Sequence, residues 1–198
     1  MLNSHGSGTT GWSNAWLIAL GARAFNETIV TDSLWNLMTD YTFNTSMLGV
    51  GGAEFQVDSS MGVTGAIVEA LVQSHEIVKP AHGGKFEVLN SSRTDGNYVL
   101  RLLPVLPKTW VGNQGGRITG LKVRGGLTVD LSWDNKGALK MATLSTDRDV
   151  NVYVTMGQGK LIDGASSAPE IRISNVHSSG TLVLLKAKKG QRYVVSLV

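Results

Sequence analysis

The sequence predicts an α+β fold, with helices first and an antiparallel β-sandwich after them. Three observations predict it. Apolar residues recur with the helical period three times before residue 78. After His75 the pattern changes to alternation, which places successive side chains on opposite faces of a strand. Glycine contributes 24 of the 198 residues, more than an average chain and in keeping with many turns. Hydrophobic residues make up 42% of the chain, enough for a real core, which excludes a disordered chain. There is no internal repeat.

The first helix is written in Trp12, Ala15, Trp16, Ala19, Leu20 and Arg23, an apolar stripe at helical spacing with Thr9 or Thr10 as its cap. Val30, Leu34, Leu37, Met38 and Tyr41 repeat the pattern, with Thr28 as cap. Val63, Ile67, Ala70, Leu71 and Ser74 form a third helix, preceded by Ser59-Ser60. Gly, Ser, Asn and Asp then crowd residues 79–96, which read as a long loop or hairpin. Leu127, Val129, Leu131 and Trp133 share one strand face, and Thr128, Asp130 and Ser132 share the other. Asp134-Asn135-Lys136-Gly137 is a turn into a return strand through Leu139 and Met141. Val150, Val152, Val154 and Met156 alternate with Asn151, Tyr153 and Thr155, and further strands are expected over 171–174, 181–185 and 193–198. Short strands separated by turn signals argue an antiparallel sandwich.

The helices pose a physical problem. Each is short with a wide apolar stripe, and helices gain most of their stability by packing such faces. Three of them cannot cover one another, so either the sandwich covers them or further helices belong to the fold. The abrupt start within Gly6-Ser7-Gly8-Thr9-Thr10-Gly11-Trp12 favours further helices.

Net charge is 18 − 15 = +3, which hides an asymmetry. Up to Val78 the balance is 1 − 7 = −6; from Lys79 onward it is 17 − 8 = +9. The basic residues are spread singly along strand-like segments. Only Lys186, Lys188, Lys189 and Arg192 cluster, so a nucleic-acid footprint, which gathers on one face, is not expected. The longest apolar stretch, from Ala15 to Ala22, is far short of the ~20 residues a membrane span needs, so no membrane partner is expected. Met1-Leu2-Asn3-Ser4-His5 lacks the features of a signal peptide. With 0 cysteines there is no disulfide, thiolate metal site or Cys nucleophile. His5, His75, His82 and His177 lack metal-ligand spacing, so neither a metal nor a cofactor is expected. Arg124-Gly125-Gly126-Leu127 runs into a strand and cradles no phosphate.

Candidate chemistry centres on Glu54-Phe55-Gln56-Val57-Asp58-Ser59-Ser60-Met61-Gly62, which puts Asp58 in the turn that opens the third helix. Unpaired backbone N–H groups and the helix dipole favour an ionised carboxylate there. Such a group can serve as a general base toward water, or simply cap the helix. Glu54 lies four residues earlier and reads as a solvated loop charge; Glu69 and Glu76 are expected on the polar helix face. Trp12, Trp16 and Trp35 could stack on sugar rings. Helical spacing assigns Trp16 and Trp35 to the core and leaves Trp12, at a Gly-rich helix start, as the binding candidate. Asn26-Glu27-Thr28, Asn44-Thr45-Ser46 and Asn90-Ser91-Ser92 are glycosylation sequons, which lean toward a secreted parent protein.

These residues carry a resemblance. Gly11-Trp12-Ser13-Asn14-Ala15-Trp16, Phe55-Gln56-Val57-Asp58, the helix to Leu71-Val72-Gln73-Ser74, Leu102-Leu103-Pro104-Val105-Leu106-Pro107, Trp110, Gly120-Leu121, Arg124-Gly125-Gly126, Val129-Asp130 and Trp133 occur in the order seen in glycoside hydrolase family 95. These are α-L-fucosidases, with some α-L-galactosidases. The resemblance covers residues 6 to about 140. It implies the terminal helices of an incomplete (α/α)6 barrel over 1–78, a loop or insertion over 79–100, and a C-terminal β-sandwich over 101–198. It implies inverting hydrolysis of terminal α-L-fucose on a fucosylated oligosaccharide or glycan. Asp58 falls on the family's general base, with Gln56 and Trp12 as sugar-side candidates. The family's acid, a Glu, and the two Asn that hold the water match nothing in this chain. The upstream barrel of a parent enzyme would then be its partner, and the chain alone is expected to be inactive. Two departures bear on substrate choice: Gly52 stands where the family has His, and Ser59-Ser60 where it often has Gly-Asn. Competing readings are a non-catalytic carbohydrate-binding sandwich and a protein-interaction remnant.

Overall fold

A computed structural model describes residues 9–43, 49, 54–82, 85–89, 96–158, 161–162, 165–166, 170–174 and 178–198. The chain divides into two compact units: residues 1–71 with 105–109, and residues 72–104 with 110–198.

The first unit is helical, with α1 (Gly11–Arg23), α2 (Glu27–Asp40) and α3 (Val57–Leu71). Thr10 caps α1 reciprocally: its hydroxyl accepts from the Ser13 N–H, while Ser13 Oγ accepts from the Thr10 N–H. The α1 helix ends with Phe25 in a left-handed conformation (φ 53°), and the Asn26 N–H closes back onto the Gly21 carbonyl. The α2 cap is Asn26 rather than the expected Thr28. Its carboxamide oxygen accepts from the Ile29 N–H, because the chain has turned two residues earlier than the apolar pattern suggests.

Within α1 the buried face is Gly11, Asn14, Ala15, Leu17, Ile18, Gly21 and Ala22. This overturns the expected stripe. Trp12, Trp16 and Trp35 are 46%, 43% and 63% exposed, so the assignment of Trp16 and Trp35 to the core fails. The cause is close packing through small residues. Ala15 faces Gly62 of α3, and a Cβ on Gly21 would meet Ile29 of α2 at 2.9 Å. Bulky rings do not fit between helices that approach this closely. The Val30, Leu34 and Leu37 stripe of α2 is buried as its spacing predicts, while Met38 is exposed. Glu69, expected on the polar helix face, bonds the Arg23 guanidinium at 2.6 Å and ties α3 to α1.

The second unit holds β1 (Val72–Gln73), β2 (Ile77–Pro80), β3 (Phe86–Leu89), β4 (Asn97–Leu102), β5 (Gly116–Lys122), β6 (Leu127–Trp133), β7 (Leu139–Thr146), β8 (Val150–Met156), β9 (Leu161–Ile162), β10 (Ala165–Ser166), β11 (Ile171–Ile173), β12 (Ser178–Gly180), β13 (Val183–Ala187) and β14 (Arg192–Leu197). One six-stranded sheet has the order β13-β8-β4-β2-β3, with β1 also on β4; another runs β12-β11-β14-β7-β6-β5. Among the described residues, only β4 and β8 pair in parallel. Two antiparallel-rich sheets in one unit are consistent with a β-sandwich.

In the β5–β6–β7–β14 sheet, burial follows the alternation. Leu127, Val129, Leu131, Trp133, Ala142, Leu144, Tyr193 and Val195 are buried, and their neighbours turn outward. The sheet containing β4 and β8 is covered on both faces. Tyr153 and Thr155, which alternate with the apolar residues of β8, are buried too. Tyr153 joins Val78 and Val99 in a small second core, and burial pushes its phenol pKa up. Glu76 lies beyond the helix, contrary to expectation. The helix stops at Leu71 because Val72 and Gln73 pair with Leu102 and Arg101. The Glu76 carboxylate holds the fully buried Arg101 guanidinium at 2.7–3.1 Å.

Two local features shape the β5–β7 meander. Gly125 and Gly126 have φ of 83° and 79°, and a Cβ on Gly126 would sit 2.6 Å from Arg148 Nε. The Arg-Gly-Gly block is therefore a backbone requirement. At the next turn, Asp134 Oδ1 accepts from the Lys136 and Ala138 N–H groups at 2.8 and 2.9 Å. These bonds hold the Asp134 carboxyl below its ordinary value of 3.8. Lys188 does the same for Asp149, and Arg148 for Asp147.

A depressed carboxyl pKa contributes stability above the unfolded value, which is lost as pH falls through the folded one. Urea titrations should therefore show the protein losing stability below about pH 4. The Asp134→Asn variant keeps the acceptor but loses the titration, so it should show a shallower loss. An unchanged slope would rule out this turn as an acid-sensitive element.

Candidate functional site

The site is built where α1 and α3 begin. Gln56, the residue before α3, turns its side chain toward α1, and its Oε1 accepts the Trp12 backbone N–H at 3.0 Å. That N–H is one of the donors a helix start leaves without an intrahelical partner. Gly49 closes the arrangement: its carbonyl accepts the Gly11 N–H at 2.9 Å, and it forms a β-bridge with Phe55. The approach is tight. A Cβ on Gly11 would lie 2.6 Å from both the Gly49 carbonyl oxygen and Ser59 Oγ, so glycine is required where α1 starts.

Asp58 occupies the first turn of α3 and is exposed. Its Oδ1 accepts the N–H of Ser59 at 2.9 Å. The next residue is its opposite in environment: Ser59 is fully buried beneath Gly11, and its hydroxyl has no hydrogen-bond partner among the described residues. The helix start thus fixes the backbone of Asp58 from below and leaves its carboxylate outward, beside the positive end of α3. Such a carboxylate can polarise a water in an adjoining groove.

The structure brings the three sequence candidates, Trp12, Gln56 and Asp58, to one end of the helical unit. It adds a feature the sequence did not reveal. The Trp12 and Trp16 rings stack with centroids 6.1 Å apart and planes within 4°. Their spacing of one helical turn allows the stack, but periodicity alone assigned the second ring to the core. Glu54 is exposed. Gly52 and the sequons at Asn44 and Asn90 lie outside the described residues, as do His5 and His177. Asn26, the remaining sequon, is the α2 cap. Among the described residues, no group of three or more His, Asp or Glu could hold a metal, and no helix is long and apolar enough to cross a membrane.

An exposed carboxylate at one helix start and an exposed aromatic stack at another, carried on helices that precede antiparallel sheets, have the makings of a carbohydrate-active protein. The comparisons agree. Residues 1–71 match the glycosyl hydrolase family 95 catalytic domain, and residues 95–195 match the glycoside hydrolase family 95 C-terminal domain. The chain belongs to glycoside hydrolase family 95. It is 30% identical over 159 residues to a protein of Aspergillus oryzae described as "Probable alpha-fucosidase A", covering 77% of this chain and 20% of that one. A protein of Aspergillus niger with the same description is 29% identical over 148 residues, covering 70% of this chain and 16% of its own length. The chain thus spans a fifth or less of the length of these curated relatives.

Proposed function

We propose that this chain is the C-terminal part of an α-L-fucosidase-like enzyme that hydrolyses terminal α-L-fucose with inversion. Its helices would be the last of an (α/α) barrel, and Asp58 would be the general base. The observation that carries this reading is the placement of Asp58: exposed, at the start of α3, on a Phe-Gln-Val-Asp segment within a region that matches the family's catalytic domain. In inversion the base withdraws a proton from water as the water attacks the anomeric carbon, while an opposing acid protonates the departing oxygen. The two carboxyl groups stand roughly 6.5–9.5 Å apart to admit that water. The broad apolar surface of Trp12, Trp16, Trp35, Met38, Val57 and Met61 supports further barrel helices against this unit.

Catalysis requires the whole constellation, because removing one member of a unit that acts together forfeits most of its effect. The chain expressed alone should release no aryl group from an aryl α-L-fucoside. A version extended with the upstream sequence of a family-95 relative should release it. Clear turnover by the chain alone would overturn the division of labour proposed here, and silence from a folded, extended enzyme on both fucosides and galactosides would overturn the activity.

A further inference from the structure

The outward face of the β5–β6–β7–β14 sheet carries a site that the catalytic reading does not use. Strand pairing sets Arg117 opposite Ser132, Asp130 opposite Thr143, and Arg192 opposite Ser145, all on the face away from the buried Val129 and Leu144. A register shift between Ser132 and Trp133 makes Lys140 an extra residue, exposed beside Met141. Bulges of this kind re-aim side chains and are common beside binding sites. The result is a concavity of about 1060 Å³ whose charged lining is Arg117, Lys140, Arg192, Asp130 and Asp134, with Gln114 and Thr143 among its polar groups.

The concavity holds three cations against two carboxylates, and Asp134 spends one oxygen on the Lys136 and Ala138 N–H groups. Asp130 is already engaged: one oxygen accepts the Gly120 N–H at 2.9 Å, and the other lies 3.8 Å from Arg192. Among the described residues, neither Arg117 nor Lys140 has a carboxylate partner. Like charges gathered over one sheet face raise the local potential and attract anions. The hydroxyl and amide groups of Ser132, Thr143 and Gln114 suit a hydroxyl-rich ligand. The one aromatic ring in the lining, Trp133, is 6% exposed, with its indole N–H bonded to the Trp110 carbonyl, so there is no platform for stacking bases. From β5 to β14 there are three strand steps, about 14 Å, which several linked sugars cover and one does not.

We propose that this face binds an anionic oligosaccharide, bearing uronate carboxylates or sulfate esters, and so holds an acidic glycan against a sugar-cleaving protein. The choice of a carbohydrate rests on membership of a glycoside hydrolase family and not on the role of Asp58.

Calorimetry on the full chain tests it with a hexameric oligogalacturonate, a heparin-derived hexasaccharide, cellohexaose and a thymidine hexanucleotide. At least one acidic sugar should bind at least about tenfold more tightly than cellohexaose and the oligonucleotide. Binding of the oligogalacturonate alone makes carboxylate the recognised group; binding of the heparin fragment alone makes it sulfate. The Arg117→Gln/Lys140→Gln variant should weaken binding about tenfold, and the exposed Lys140→Gln by itself about threefold. Lys186→Gln/Lys189→Gln, on the other basic cluster, should leave it unchanged. Binding must also fall as salt is raised. Absence of acidic-sugar binding, equal binding of the neutral sugar or the oligonucleotide, or equal loss in both sets of variants would overturn the proposal. Because no step of this test is catalytic, its failure leaves the fucosidase reading standing, and the reverse also holds.

Discussion

In an active, extended form of the protein, replacing Asp58 with asparagine should lower kcat on an aryl α-L-fucoside by roughly 10³-fold, within the range that general-base assistance contributes. Asparagine matches aspartate in size and keeps an oxygen for the Ser59 N–H, which Asp58 Oδ1 accepts at 2.9 Å. It cannot take a proton from water. The two roles of Asp58 are thus separable. In the first turn of α3 asparagine and aspartate differ chiefly by a charge, so stability should change by no more than about 1 kcal/mol, the worth of a charge near a helix start. A group that only caps would lose little activity on this change. A base would lose nearly all of it while the urea midpoint stays close to wild type. KM should move far less than kcat, because the carboxylate acts on water in the transition state and not on bound sugar. If kcat in Asp58→Asn stays within a fewfold of the parent, another group activates the water and Asp58 is a cap.

How much of this was legible in the sequence depends on whether the deciding contact is local. The Val30, Leu34 and Leu37 stripe, the alternation from Leu127 to Trp133 and the Asp134 turn are each settled by neighbours a few residues away, and each is found where its pattern puts it. The α1 helix shows the limit. Its spacing announces an amphipathic helix but cannot say which of two apolar faces is buried. The small face, Gly11, Ala15, Gly21 and Ala22 around Ile18, prevails because α2 and α3 approach closely there, and the tryptophans are left outside. Tyr153 and Thr155 of β8 were misleading for the same reason, since only tertiary packing covers a strand on both faces. In the candidate site, Asp58 was readable from its place at a helix start. The bond from the Trp12 N–H to Gln56 joins residues 44 apart, and no local pattern encodes it. The basic concavity was hidden likewise. Arg117, Lys140 and Arg192 look scattered until strand pairing lays them on one face of the sheet.

The largest stability effect is expected at Glu76 and Arg101. The guanidinium is fully buried and gives its Nε and Nη2 to Glu76, and Nη1 to the Gly157 carbonyl at 3.1 Å. It thereby clamps the segment between β1 and β2 to the end of β8, beside the bond from the Gly157 N–H to the Leu102 carbonyl. Removing the carboxylate with Glu76→Ala takes the bidentate partner from a fully buried cation. Breaking a buried pair in this way costs about 3–5 kcal/mol, several times what an exposed ion pair contributes. The Arg101→Met change should cost less, because Glu76 keeps a side-chain exposure of 21% and can turn to water. The double variant should then be more stable than Glu76→Ala alone, since no buried charge is left behind. Hydrogen exchange at the β4 and β8 amides reads this directly, as the opening free energy of the strands the clamp joins. If the double variant falls as far as the sum of the two single ones, the loss is one of packing, and the charges of Glu76 and Arg101 are not what holds these strands together.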